Sequence, residues 1–113
     1  MNCLNYQKNV VLCLCLLLCF TLVSCDNIKT TWLSVTANGA LDKDNMDKAI
    51  TQYQKLIEMH PDEYSYYWNL GVAYYRKGDS VNAKKLIKKL RALGKDDLAD
   101  ELEDQVKEIV KNK

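Results

Sequence analysis

A 34-residue period governs the second half of this chain: Ala49 and Ala83, Tyr53 and Ile87, and Leu56 and Leu90 are each 34 residues apart. Repetition at such a spacing marks chains that stack one supersecondary unit on the next. The unit here is helical. Ala49, Ile50, Tyr53, Leu56 and Ile57 recur at three- and four-residue steps, which predicts one apolar helix face from about Asp44. His60-Pro61 stops that helix, because the residue before proline disfavours helical backbone. A second helix is predicted from Glu63 to Lys77, with Tyr67, Leu70, Gly71 and Tyr74 on one stripe, broken by Gly78-Asp79. A third runs from Ser80 to Leu93 with Ala83, Leu86, Ile87, Leu90 and Leu93 inward, closed by Gly94. A fourth runs from Asp96 to Val110 and carries Leu98, Leu102, Val106 and Ile109. No strand alternation of useful length appears, so the fold class is all-α. Ala49 and Ala83 each sit on the second helix of a helical hairpin, where a small side chain lets two helices approach closely.

The run Asn69-Leu70-Gly71-Val72-Ala73-Tyr74-Tyr75-Arg76-Lys77-Gly78-Asp79, with Ala83 after it, resembles the tetratricopeptide repeat (TPR) family. So does Ala49-Ile50 followed by Tyr53-Gln54-Lys55, Glu58 and Pro61. The resemblance implies antiparallel hairpins in which Leu70, Gly71 and Tyr74 pack the first helix of a repeat against the second. Ala83 would receive them, and Pro61 would end the preceding repeat. One full repeat then spans Tyr64 to Asp97 and another Thr30 to Glu63. The first helix of the earlier repeat would fall on Thr31 to Lys43. Leu33, Ala37 and Ala40 hold the expected positions there, while Thr36, Asn38 and Gly39 make that helix degenerate. Asp96 to Val110 resembles a capping helix. Arrays usually need about three units to bury a stable core, so this domain is expected to be marginally stable alone or to pair with itself or a partner.

The N-terminal stretch has a different character. Residues Val10 to Val23 are almost wholly apolar over 14 positions, preceded by Lys8 and followed by Ser24 and Cys25. This is the layout of a secretory signal, and it is shorter than the roughly 20 residues a membrane-spanning helix needs. Leu22-Val23-Ser24-Cys25 resembles the bacterial lipobox, whose cysteine is lipidated and becomes the first mature residue. Residues 1–24 are therefore expected to be cleaved as a lipoprotein signal peptide, Cys25 to carry lipid, residues 25–31 to form a tether without a core pattern, and residues 32–113 to form the domain. Cys3, Cys13, Cys15 and Cys19 would leave with the signal, so the mature chain would hold no internal disulfide. Asp26 after the cysteine resembles the inner-membrane retention signal of some Gram-negative bacteria. Other lineages do not follow that rule, so inner and outer membrane both stay open.

Function is expected to lie in partner binding. The resemblance implies that the first-helix face of a repeat lines a groove, here Ser65, Trp68, Val72, Tyr75 and Arg76. Tyr67 serves the core, which leaves Trp68 to face outward. An aromatic anchor beside an arginine is the composition that dominates interface energetics. An equal alternative has Trp68 and Tyr75 packing beneath the degenerate helix or the cap. Asn69 belongs to the same motif. In some family members an asparagine there grips a peptide carboxylate, but those members carry lysine and asparagine where this chain has Trp68 and Val72, so a structural role is expected for Asn69.

Charge and chemistry exclude other classes. There are 16 Lys and Arg against 15 Asp and Glu, and removal of Lys8 leaves 15 of each, which speaks against a nucleic-acid binder. The bases Arg76, Lys77, Lys84, Lys85, Lys88, Lys89, Arg91 and Lys95 precede the acids Asp96, Asp97, Asp100, Glu101, Glu103 and Asp104. Such placement suits helix dipoles and lets antiparallel neighbours face each other; a basic patch for anionic headgroups or an acidic partner is the other reading. His60, the single histidine, sits in a turn. No phosphate loop, zinc spacing or serine–histidine pattern occurs, so neither catalysis, a cofactor nor a metal is expected. The expectation is a membrane-anchored adaptor or scaffold of the bacterial cell envelope, on the extracytoplasmic side, with a protein or peptide partner. The alternatives are a self-associating structural subunit and a non-catalytic regulatory subunit of an envelope complex.

Overall fold

The computed structural model describes residues 3–112, with the side chains of residues 20–24 excepted. Met1 and Asn2, and the lipobox side chains of Leu22, Val23 and Ser24, lie outside the described set. Five helices follow one another: α1 (Cys3–Asp42), α2 (Met46–Met59), α3 (Tyr64–Arg76), α4 (Ser80–Ala92) and α5 (Asp96–Lys111). The chain divides into two compact units, Met1–Trp32 and Leu33–Lys113.

The first unit is helical. Its described apolar side chains, among them Leu12, Leu16, Leu17 and Leu18, are exposed, and Cys25 is exposed with a free thiol. Residues 26–31, expected as a tether, are helical although mostly exposed. The poor helix formers there are accommodated because Thr30 Oγ1 donates to Asp26 O (2.9 Å) and Thr31 Oγ1 to Asn27 O (2.8 Å), satisfying each hydroxyl on the preceding turn. Among the described residues, no helix is long and apolar enough to cross a membrane.

In the second unit the 34-residue period extends into the turns. Asp44 (φ 57°) and Gly78 (φ 80°) occupy equivalent positions and both adopt the left-handed region. Each closes its helix with the same pair of bonds. Asn45 N donates to Ala40 O (2.8 Å) and Asp44 N to Leu41 O (3.1 Å) at the first turn; Asp79 N donates to Tyr74 O (2.9 Å) and Gly78 N to Tyr75 O (2.9 Å) at the second. The next residue then starts the following helix: the Asn45 side chain accepts from Lys48 N and the Asp79 side chain from Asn82 N. Gly94 (φ 71°) ends α4 in the same way.

Two apolar clusters result. The first joins Ala37, Ala40 and Leu41 of α1 to Met46, Ala49, Ile50, Tyr53 and Leu56 of α2 and to Leu70 and Ala73 of α3. The second joins Tyr67 of α3 to Ala83, Ile87 and Leu90 of α4 and to Ala99, Leu102 and Val106 of α5. Ile57, Tyr74 and Leu86 pack against both clusters. Helix α3 therefore carries the core between its two faces. The expected first helix of the earlier repeat forms through Asp42, with Ala37 and Ala40 buried and Leu33 packed beside them.

Candidate functional site

The five residues expected at the partner face, together with Asn69 of the same motif, all lie on α3 and fall into three environments. Ser65 belongs to the start of α3: its Oγ donates to Glu63 Oε1 (2.8 Å), and the same carboxylate accepts from Ser65 N (3.3 Å). Trp68, Val72 and Tyr75 are half-buried and pack against the second cluster. Trp68 therefore does not project freely, and α5 packs against α3 as well as against α4. Asn69, between them, is half-buried.

Arg76 is exposed, yet its guanidinium is engaged. Nη1 donates to Leu41 O (2.9 Å), the carbonyl that also accepts from Asp44 N, which places a cation on the last turn of α1 at the negative end of the helix dipole. Tyr75 and Arg76 line a shallow cleft of about 430 Å³ together with Gly78, Ile109 and Asn112. The structure thus brings Tyr75 and Arg76 together at the α3–α5 edge and leaves Ser65 at the far end of α3. Gly71 explains the closeness of α5: a Cβ at this position would run into Leu102 Cδ2, with Leu86 Cβ 3.5 Å away. The closest neighbour of Gly71 lies on α5 rather than on the second helix of its own hairpin.

The residues that make the first helix look degenerate are the ones that dock it. Gln52 Nε2 donates to Thr36 Oγ1 (2.9 Å), and Thr36 Oγ1 donates to Leu33 O (3.0 Å). The Tyr53 hydroxyl donates to Asn38 Oδ1. Burial, with Asp42 nearby, pushes the Tyr53 hydroxyl up to about 12 and keeps it neutral. In the second hairpin, Tyr67 OH donates to Pro61 O (2.7 Å), tying the turn before α3 to the core.

Sequence reasoning set the basic run of α4 against the acidic run of α5 but missed the cleft between the two helices. Lys84, Ile87, Lys88 and Arg91 face Glu103, Val106, Lys107, Val110 and Lys111 of α5 across a cleft of about 510 Å³. The stripes 84/87/88/91 and 103/106/107/110 are both of helical spacing, a signal that was present once the two helices are paired. Arg91 Nη2 reaches Asp100 (2.7 Å) and Glu103 (2.5 Å), so the expected facing of basic and acidic runs holds at this residue.

The comparisons with known proteins fit this geometry. A TPR repeat model matches residues 40–78, and a tetratricopeptide repeat model matches residues 65–93. Residues 40–93 are of tetratricopeptide type. The matched stretch begins in the last turn of α1, covers α2 and α3, and ends just beyond α4. Tetratricopeptide repeats generally mediate binding to protein partners, and their presence points to a protein–protein interaction role for this chain. No curated protein and no solved structure gives a significant match.

Proposed function

We propose that this chain is a bacterial lipoprotein adaptor: lipid on Cys25 holds it at a membrane on the extracytoplasmic side, and its tetratricopeptide module captures a protein partner without catalysing a reaction. The carrying observation is that the repeats form with a cleft at the α3–α5 edge, where Tyr75 and Arg76 meet Ile109 and Asn112. Aromatic and arginine side chains at the mouth of a cleft are the groups that contribute most at protein interfaces. The anchoring half of the reading draws on the Leu22-Val23-Ser24-Cys25 pattern after an apolar stretch. A lipoprotein needs more than one acyl chain for stable attachment, which the lipidated cysteine of this class supplies.

A photo-crosslinking residue in place of Tyr75, in the protein produced with its own N-terminal segment, tests both halves. One dominant foreign partner, found with the intact chain and lost when Cys25→Ser releases it from the membrane fraction, is the expected result. Crosslinks only between copies of this chain would replace the adaptor with a self-associating subunit. Unchanged membrane partition of Cys25→Ser would remove the lipid anchor from the reading.

A further inference from the structure

The cleft between α4 and α5 is a second surface, distinct from the α3–α5 edge, and its chemistry is selective. Ile87 and Val106 form a closed apolar floor, 4% and 1% exposed, while Val110 stands at the rim with 55% exposure. The walls are cationic: Lys84, Lys88 and Arg91 on α4, Lys107 and Lys111 on α5, against Glu103 as the one lining acid. Long basic side chains offer apolar stems to an occupant while their heads stay in water. Arg91 is held by Asp100 and Glu103, and Lys107 by Glu103 and Asp104. Lys84, Lys88 and Lys111 have no carboxylate within ion-pairing distance among the described residues.

The repeat register sharpens the contrast. Shifted by 34 residues, Lys84, Arg91 and Lys107 fall on Ile50, Ile57 and Ala73 of the preceding repeat. There these positions are buried or packed against the two clusters. At these three positions an apolar residue of one repeat gives way to a base in the next, while Lys88 and Lys111 match exposed Gln54 and Lys77. The slot follows both helices for about two turns, since Lys84 to Arg91 spans about 10 Å at 1.5 Å per residue.

From this we infer that the α4–α5 cleft docks an acidic amphipathic helix of a partner protein, whose apolar residues lie along Val110 and the lysine stems and whose carboxylates meet Lys84, Lys88 and Lys111. A helix laid in a groove is read through apolar anchors at three- and four-residue spacing, and the flanking cations supply orientation and partner choice. A flat bilayer matches a recessed floor less well than a helix does. A second copy of this chain offers the acids Asp97, Glu101, Asp104 and Glu108 on α5, but that stripe has no apolar residue to fill the slot.

The test uses the full chain in zwitterionic nanodiscs and two labelled helical peptides of about four turns. Both peptides carry leucine on one face, flanked by glutamate in one and by lysine in the other; binding to empty nanodiscs is subtracted. Fluorescence anisotropy is expected to show the glutamate peptide bound at least about tenfold more tightly than the lysine peptide, a preference that shrinks with added salt. Lys84→Glu with Lys88→Glu should abolish the preference, and Val110→Asp should weaken the glutamate peptide. Lys55→Glu, an equal charge change at an exposed position of α2 away from this cleft, should leave both affinities unchanged, and because none of these variants touches Tyr75 or Arg76 the result stands apart from the fate of the adaptor reading. Equal binding of the two peptides, or a preference that survives the double charge reversal, overturns the proposal. So does peptide indifference combined with lysine-dependent binding to phosphatidylglycerol vesicles, or lysine-dependent self-association in light scattering.

Discussion

The two helical hairpins of this module share one backbone plan and differ in what fastens them. Both turn through a left-handed residue, Asp44 in one and Gly78 in the other, followed at once by a side-chain N-cap, Asn45 or Asp79. Within the first hairpin, α1 is tied to α2 through polar bonds, Thr36 with Gln52 and Asn38 with Tyr53, beside a cluster rich in alanine. The second hairpin and the α5 helix that caps it rely on apolar closeness: Gly71 of α3 leaves room for Leu102 of α5, and Tyr67, Ile87 and Leu90 fill the remainder. A repeat can thus keep its register when the apolar stripe of one helix is reduced to small residues and one leucine, with directional bonds added to the burial that remains. The cost is that a hydrogen-bonded interface fails when one partner is deleted, since the other is left buried and unsatisfied.

The largest predicted effect attacks the close approach of α5 to the second hairpin. Gly71→Leu should cost about 3 kcal/mol or more, because the added side chain meets fully buried Leu102 and Leu86 behind it. Urea unfolding followed by circular dichroism would measure it, and near-wild-type stability would remove Gly71 as the contact point of α3 and α5. Gly71→Ala sharpens the assignment. Its penalty is carried by one flexible methyl, so it should shrink in a Leu102→Ala background, which itself costs about 2–5 kcal/mol.

For the first hairpin, Asn38→Ala should cost about 1–3 kcal/mol by leaving the Tyr53 hydroxyl without its acceptor. The pH profile reads the burial of the same hydroxyl beside Asp42. Folding favours the neutral hydroxyl, so its contribution is complete below the ordinary tyrosine value near 10 and is lost as pH climbs through about 12. Stability should therefore decline across about pH 10–12, and Tyr53→Phe should flatten that decline. An unchanged alkaline limb in Tyr53→Phe would show that another group controls it.

What was legible in the sequence divides along the same line. The period, helices α2 to α5 and their ends within a residue or two could be read because apolar spacing and the stops at Pro61, Gly78 and Gly94 are local signals. The docking of α1 could not, because Thr36 and Asn38 weaken a helix when judged alone, and their partners lie 16 and 15 residues away. For Trp68 the sequence left an outward-facing and a packing position equally open, since its stripe avoids the contacts of its own hairpin; the structure half-buries it against the second cluster. The helical state of residues 26–31 escaped notice because propensity counts threonine as a poor helix former before the bonds of Thr30 and Thr31 to the preceding turn are considered. Apolar Ile87 and Val106 were expected inward, yet nothing in either helix separately announced that they floor a common cleft.

The smallest predicted effect bears on the turns, where the hairpins most resemble each other. A non-glycine residue in the left-handed region is strained, though aspartate tolerates it better than most. Asp44→Gly should therefore stabilise the module, by no more than about 1 kcal/mol, because relief of strain is partly offset by the greater freedom of glycine in the unfolded chain. Gly78→Asp should cost a similar amount, converting the second turn to the chemistry of the first. Urea midpoints of the two variants, compared at equal slope, would check both signs. Opposite signs of similar size would mean that the turns are interchangeable frames and that the difference between the hairpins lies in how their helices are fastened. If Asp44→Gly destabilised the module instead, the Asp44 side chain would be contributing at the α1–α2 turn something that the matching glycine does not need at α3–α4.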